Sequence, residues 1–205
     1  MSNFYNYELN KTYVLTTDTI NLVVSVDNIK DYLRLDSDYD IEDDLIEELI
    51  KTSTRFVENY TGRELITKTY TMYMDFFPSC EIEICRHKIQ SISSIKYYTN
   101  SILTTLDSSL YSFTKGDNFF QNIYLVNGVS FFPSTDDRKQ AVEIVFTAGF
   151  GINESFVPDI FKTIIKRLVS YLYENRGDCI LSLASLDKMP DLKMLMDQYN
   201  LNLSL

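Results

Sequence analysis

The stretch "DSDYDIEDDLIE", Asp36 to Glu47, holds the densest set of potential ligands in the chain. Its acids Asp36, Asp38, Asp40, Glu42, Asp44 and Glu47 fall at positions 1, 3, 5, 7, 9 and 12 of an EF-hand loop, a spacing at which oxygen ligands wrap a calcium ion. Position 6 breaks the register. The loop turns sharply there and requires glycine, but this chain has Ile41, and Asp43 stands two places on where an apolar residue is usual. The same acids have a plainer use: Asp38 or Asp40 caps a helix, and Glu42, Asp43 and Asp44 sit on its positive end. A calcium-binding module through Asp36 to Glu47 is therefore the lesser alternative.

Cys80, Cys85 and His87 bring soft ligands close in sequence, but neighbouring strand positions face opposite ways and no fourth ligand follows at zinc spacing. His87 is the only histidine, so any nucleophilic triad would have to use it, and neither a nucleophile elbow nor an oxyanion loop lies near it. "TAGFG" at 147–151 lacks the Gly-Lys-Ser/Thr ending of a phosphate loop and the GxGxxG spacing, and reads as a turn from sheet to helix. No catalytic residue, metal ligand or cofactor is expected. Tyr97-Tyr98, Phe119-Phe120 and Phe131-Phe132 lie near turns, each pair split between two faces of a strand, and mark candidate contact surfaces.

The elements that position these residues are written in the periodicity. Over 205 residues, 45% hydrophobic and 23% charged, the chain has the composition of a soluble globular protein of one domain or a small pair. Its formal charge of −10 opposes nonspecific binding to a phosphate backbone. The first residues do not resemble a secretory signal, no run is long and apolar enough for a membrane span, and three unevenly placed cysteines do not form a disulfide framework. A cytoplasmic origin with reduced thiols is expected.

After an irregular lead-in at 1–24, Ser25 caps a short helix carrying Val26, Ile29, Tyr32, Leu33 and Leu35. A longer helix follows, with Ile41, Leu45, Ile46, Leu49, Ile50, Phe56, Val57 and Tyr60 on one face and Gly62 as its left-handed stop. Residues 63–156 alternate in five or six short strands, which predicts a mainly antiparallel sheet, sandwich or barrel. Helix resumes at Pro158 with Ile160, Ile164, Ile165, Leu168, Val169 and Leu172 inward, and Gly177 is placed to end it. A last segment opens at Pro190 and presents Leu192, Leu195, Met196 and Tyr199 as a sticky face too short to be stable alone. The expected fold class is α+β: a helical bundle from 25–62 and 157–200, a β-rich insertion at 63–156, and a tail at 201–205.

"VSVDNIKDYLRLDSDYDIEDDLIEELIKTSTRFVENYTGRELI", then strands, then "VEIVFTAGFG", "VPDIFKTIIKRLVSYLYENRGD" and "MPDLKMLM" together resemble the head-tail connector (adaptor) proteins of long-tailed bacteriophages and gene transfer agents, over about residues 24–200. The most telling pieces are the acidic run before the second helix, Tyr60-Thr61-Gly62-Arg63, Phe146-Thr147-Ala148-Gly149 with Val157-Pro158 beyond, and Tyr173-Glu174-Asn175-Arg176. The Tyr/Asn/Ile-rich character and the N-terminal lead-in depart from the pattern. The resemblance implies a structural protein of the virion neck, assembled in the host cytoplasm, and no enzyme. Copies would form a ring, typically a dodecamer, beneath the portal protein, extend the DNA channel without gripping DNA, and receive the next neck or tail component. Another neck role, as a stopper or tail-completion protein, is the alternative. The resemblance also assigns the Met189–Leu205 segment, with Met189, Leu192, Leu195, Met196 and Tyr199, to the portal, and the β insertion to the neck. On that reading, removing residues 189–205 leaves the fold intact.

Overall fold

Strand alternation produces one of two compact units and helical periodicity the other: the described residues of Met1–Asp18 with Lys68–Ala148, and those of Thr19–Thr67 with Gly149–Leu205. The computed structural model describes residues 11–18, 21–116, 121–176 and 183–201.

The strand unit contains β1 (Thr12–Thr17), β2 (Lys68–Met74), β3 (Glu81–Ile84), β4 (Ile89–Thr99), β5 (Ile102–Thr105), β6 (Tyr111–Phe113), β7 (Gln121–Leu125) and β8 (Val142–Ala148). Five of them form a sheet in the order β1-β2-β8-β4-β5, and three form a second in the order β3-β7-β6, with antiparallel pairing throughout. Period two decides which side chains go in. Along β8, Val142, Ile144, Phe146 and Ala148 are buried, and they share one core with Met72 and Met74 of β2 and with Ile82, Ile84 and Ile123 of the second sheet. Asn100 and Ser101, both at positive φ, join β4 to β5 as a two-residue hairpin, and the Asp136 carboxylate accepts both of their N–H groups at 2.8 and 2.7 Å.

The lead-in at 1–24 is not wholly irregular. Thr12–Thr17 is strand β1, paired with β2 from Thr12↔Tyr73 onward. Its partner lies more than fifty residues away, so no local pattern reveals the pairing. β5 and β6, of four and three residues, are too short for periodicity to register.

The helical unit contains α1 (Val26–Leu33), α2 (Asp43–Thr61), α3 (Asp159–Glu174), α4 (Leu183–Leu186) and α5 (Pro190–Asp197). α2 buries Ile46, Ile50, Ser53, Val57 and Thr61, a stripe whose small polar members keep the helical spacing of three and four. α3 buries Phe161, Ile164, Ile165, Leu168, Val169 and Leu172. The two stripes meet in one core with Val23, Val24, Leu65, Ile66 and Val157, where each large side chain contributes about 1.5–3 kcal/mol. Gly62 follows α2 at φ 72°, and its N–H donates to the Glu58 carbonyl at 2.9 Å. α3 ends at Glu174, where the Asn175 side chain donates to the Tyr171 carbonyl at 2.8 Å. Gly177, proposed as that stop, lies outside the described residues, as do Cys179, Phe119 and Phe120.

Three local expectations change. α2 begins at Asp43 with Glu42 at the N-cap position, not after Asp38 or Asp40, because Lys30 draws Asp40 and Asp43 toward α1. Ile41 therefore lies outside the helix and is exposed, and Tyr32 of α1 is exposed as well. The chain leaves and re-enters the helical unit through paired segments: the Thr67 N–H donates to the Gly151 carbonyl at 2.8 Å and Phe150 N–H to Leu65 at 3.3 Å. That close approach explains "TAGFG". A Cβ on Gly149, at φ 136°, would stand 2.7 Å from the Ile66 carbonyl, and one on Gly151 would stand 2.3 Å from the Phe156 Cβ.

Candidate functional site

The acidic loop holds a built-in cation. The Lys30 ammonium, 2% exposed, lies 2.6 Å from Asp43 and 3.1 Å from Asp40, and donates to the Ser37 carbonyl at 3.4 Å. Hydrogen bonding to Asp43, ahead of the opposing cost of burial, holds its pKa above the ordinary lysine value. Of the seven carboxylates from Asp36 to Glu47, Asp40 and Asp43 are engaged by Lys30, which withdraws them from any loop-bound ion. Among the described residues no group of three or more His, Cys, Asp or Glu is arranged to hold a metal. Cys80 and Cys85 are free and exposed, while His87 is buried.

A second cluster ties the start of α2 to the end of α3. Arg176 clamps the Glu42 carboxylate bidentately, at 2.5 and 3.1 Å, and the Tyr173 hydroxyl donates to the same carboxylate. The Arg176 guanidinium also lies 4.0 Å from the centroid of the Tyr173 ring. These donors, Arg176 foremost, hold the Glu42 carboxyl below its usual range. The cluster places a cation at the C-terminal end of α3, where the helix dipole favours it.

At the other end of α2, Tyr60 donates to Asp197 and the Arg63 guanidinium donates to the Tyr199 carbonyl at 3.0 Å, fastening α5 to the unit. Burial, assisted by Asp197, pushes the Tyr60 hydroxyl up to about 12. Within α5, Leu192 and Met196 lie in the core, and Met189, Leu195 and Tyr199 pack against it. The apolar face of α5 is thus turned inward onto its own unit, and Met194, 61% exposed, marks the outward side.

The strand unit carries an aromatic surface. Phe77 stacks on Phe132 at 4.8 Å and meets Tyr97 edge-on at 5.6 Å, making a fixed floor beside the exposed Phe76 and Phe131. Arg138 lies 3.8 Å over the Tyr98 ring, close to the hairpin held by Asp136. No helix among the described residues is long and apolar enough to cross a membrane.

Residues 23–121 match the family described as phage gp6-like head-tail connector protein. Over this span the chain is similar to head-tail connector sequences. The connector match covers α1, α2 and the strands β2 to β6, so it takes in both the Lys30 cluster and the crossing at Leu65–Thr67. Beyond it, the fold agrees with solved structures along nearly the whole length. A chain from the "Neck of empty GTA particle computed with C6 symmetry" aligns with a TM-score of 0.77 at 18% identity, covering 92% of this chain and 95% of that one. A chain from the "Virion of native gene transfer agent (GTA) particle" aligns at 0.75 and 17% identity, with 92% and 95% covered. One from the "Neck of native GTA particle computed with C12 symmetry" aligns at 0.71 and 16% identity, with 92% and 94% covered. No curated protein sequence matches this chain.

Of the positions that organise this fold, sequence reasoning missed Lys30, Ser53, Phe161 and the Glu42–Arg176 pair. Lys30 had a visible mark, a cation shortly before a run of acids; the pairing of Glu42 with a residue 134 positions away had none.

Proposed function

We propose that the chain is a structural head-tail adaptor of the virion neck. Copies close into a ring beneath the portal and extend the DNA exit channel toward the tail. α1, α2, α3 and α5 act as a helical bundle, and the strand unit is an insertion between α2 and α3 that meets the next neck or tail component. The agreement of the connector match over 23–121 with a neck-chain fold across 92% of the length carries this reading. The reading is structural, not enzymatic: the ionic clusters join helix to helix, and the exposed features are apolar side chains suited to protein contact.

The portal contact is assigned to the Met189–Leu205 segment. Leu192 and Met196 are occupied by the bundle's own core, so the contact falls to the outward side of α5, where Met194 is exposed. Phe76 and Phe131, on their floor of stacked rings, suit the contact with the neighbouring neck protein. A charge of −10 lets DNA pass without being gripped.

Co-expression with the portal of the same genome, followed by electron microscopy of the purified complex, tests the reading. A ring of this chain seated directly on the portal is expected. A chain that ignores the portal overturns it, and one that binds only after another ring is in place belongs to a stopper or tail-completion role.

A further inference from the structure

Ile41 is 84% exposed, the most open large apolar side chain among the described residues. Asp36, Asp38, Asp40, Asp44 and Glu48 surround it in sequence, all exposed, with Tyr39 exposed beside it. The turn that carries it is braced. Lys30 holds Asp40 and Asp43, the Tyr39 N–H donates to the Asp36 carbonyl at 3.1 Å, and the Asp43 N–H donates to the Asp40 carbonyl at 3.2 Å. An apolar knob on a fixed turn inside an acidic collar suits an apolar seat rimmed by cations.

The same unit carries a cleft of mixed character that offers both apolar walls and two cations. The cleft, of about 270 Å³, is lined by Arg167 of α3 and by Lys188, Met189, Pro190, Asp191 and Leu192 at the start of α5. Neither the Arg167 guanidinium nor the Lys188 ammonium has an acid partner among the described residues. Ile41 does not enter the cleft of its own chain, because it is open to solvent. A chain that carries both halves of a complementary pair on distinct patches makes heterologous contacts, which close into rings or run on as filaments. Between copies that repel each other through a charge of −10, apposed acid and base patches also supply the orientation of approach.

We infer that the Ile41 knob and its acidic collar dock into the Arg167–Lys188 cleft of a second copy of this chain. This rests on the ring reading and names the contact that builds the ring. Two variants separate the halves: Ile41→Asp, and Arg167→Glu combined with Lys188→Glu, each first shown by circular dichroism and thermal melting to fold as wild type. Sedimentation velocity of the full chain, alone and with portal, then reads assembly. Each variant alone is expected to associate at least about tenfold more weakly, the scale of a contact at the centre of an interface. Mixed together, they retain one intact contact per pair and should stop at a one-to-one dimer.

Variants that assemble as wild type overturn this interface while leaving the ring standing. A wild-type chain that never associates, alone or on the portal, overturns the ring reading and the interface with it. Variants that self-assemble but lose the portal assign the patches to the portal and also overturn the proposal.

Discussion

Met196→Ala separates a structural last helix from a docking tail. The Met196 side chain is fully enclosed, in a core shared with Leu192, Phe161 and Leu168. α5 spans only eight residues, below the roughly 12–15 at which an isolated helix becomes even marginal, so its order comes from packing. Cutting a buried Leu, Ile or Met to alanine removes transfer free energy and leaves a cavity, at about 2–5 kcal/mol. At about 2–4 °C per kcal/mol for a chain of this size, the melting temperature should fall by roughly 4–20 °C. Met194→Ala, on the exposed side of the same helix, should stay within about 0.5 kcal/mol of wild type. Truncation before Pro190 removes Leu192 and Met196 together, a loss approaching the whole of a typical stability of about 5–15 kcal/mol, so the truncated chain should fail to fold. Thermal melts by circular dichroism read all three. If Met196→Ala melts with wild type and the truncated chain stays folded, α5 is an appendage and the packing argument is wrong.

Gly149→Ala should destabilise more than Gly62→Val, because the added Cβ meets the Ile66 backbone at 2.7 Å, whereas Gly62→Val mainly forces a branched side chain to φ 72°, at about 1–2 kcal/mol; equal melting temperatures would count against the clash. The Glu42 carboxyl is held low by Arg176, so its stabilisation is full above the ordinary glutamate range of about 4.3 and is lost as pH falls through the lower folded value. Glu42→Gln should therefore flatten the acid limb of a melting-temperature profile, and an unchanged limb would show that the clamp does not bear on stability. Calcium titrated into the chain should evolve no heat, because Lys30 occupies Asp40 and Asp43; a heat abolished by Asp40→Asn would reverse that conclusion.

Legibility in the sequence followed the range of the interaction. α2, α3 and the strands β2, β4 and β8 are long enough to carry a readable pattern, so local sequence sufficed to place them. Thr12–Thr17 escaped because a six-residue edge strand gains its identity from pairing with Thr69–Tyr73, not from its own alternation. Ser53 and Thr61 line the α2 core although their types suggest a surface, since a close helix contact favours small residues over apolar ones. The α5 stripe was legible as apolar and amphipathic, but periodicity cannot say what covers such a face. The same four residues read equally well as a portal tail, and only the packed structure shows them turned against α2 and α3.

Long-range closure also governs how the helical unit holds together. α2 and α3 pack on each other although on the order of 80 residues of strand unit separate them, and closing a loop of that length costs about (3/2)RT ln n, roughly 4 kcal/mol. The sheet removes most of that cost. Lys68 of β2 stands opposite Ala148 of β8, so once their register forms the two ends of the strand segment are fixed side by side, and separate hydrogen bonds join Leu65–Thr67 to Phe150–Gly151 within the helical unit. The stability of α2 on α3 should then depend on a sheet that belongs to the other unit. Ile144→Asp places a charge in the fully buried centre of β8 and should unfold the strand unit. Hydrogen exchange of α2 and α3 amides in that variant should lose roughly 4 kcal/mol of protection, about a thousandfold in rate. If the helices keep full protection while the strands exchange freely, loop closure by the sheet contributes nothing, and the helical core is sufficient to itself.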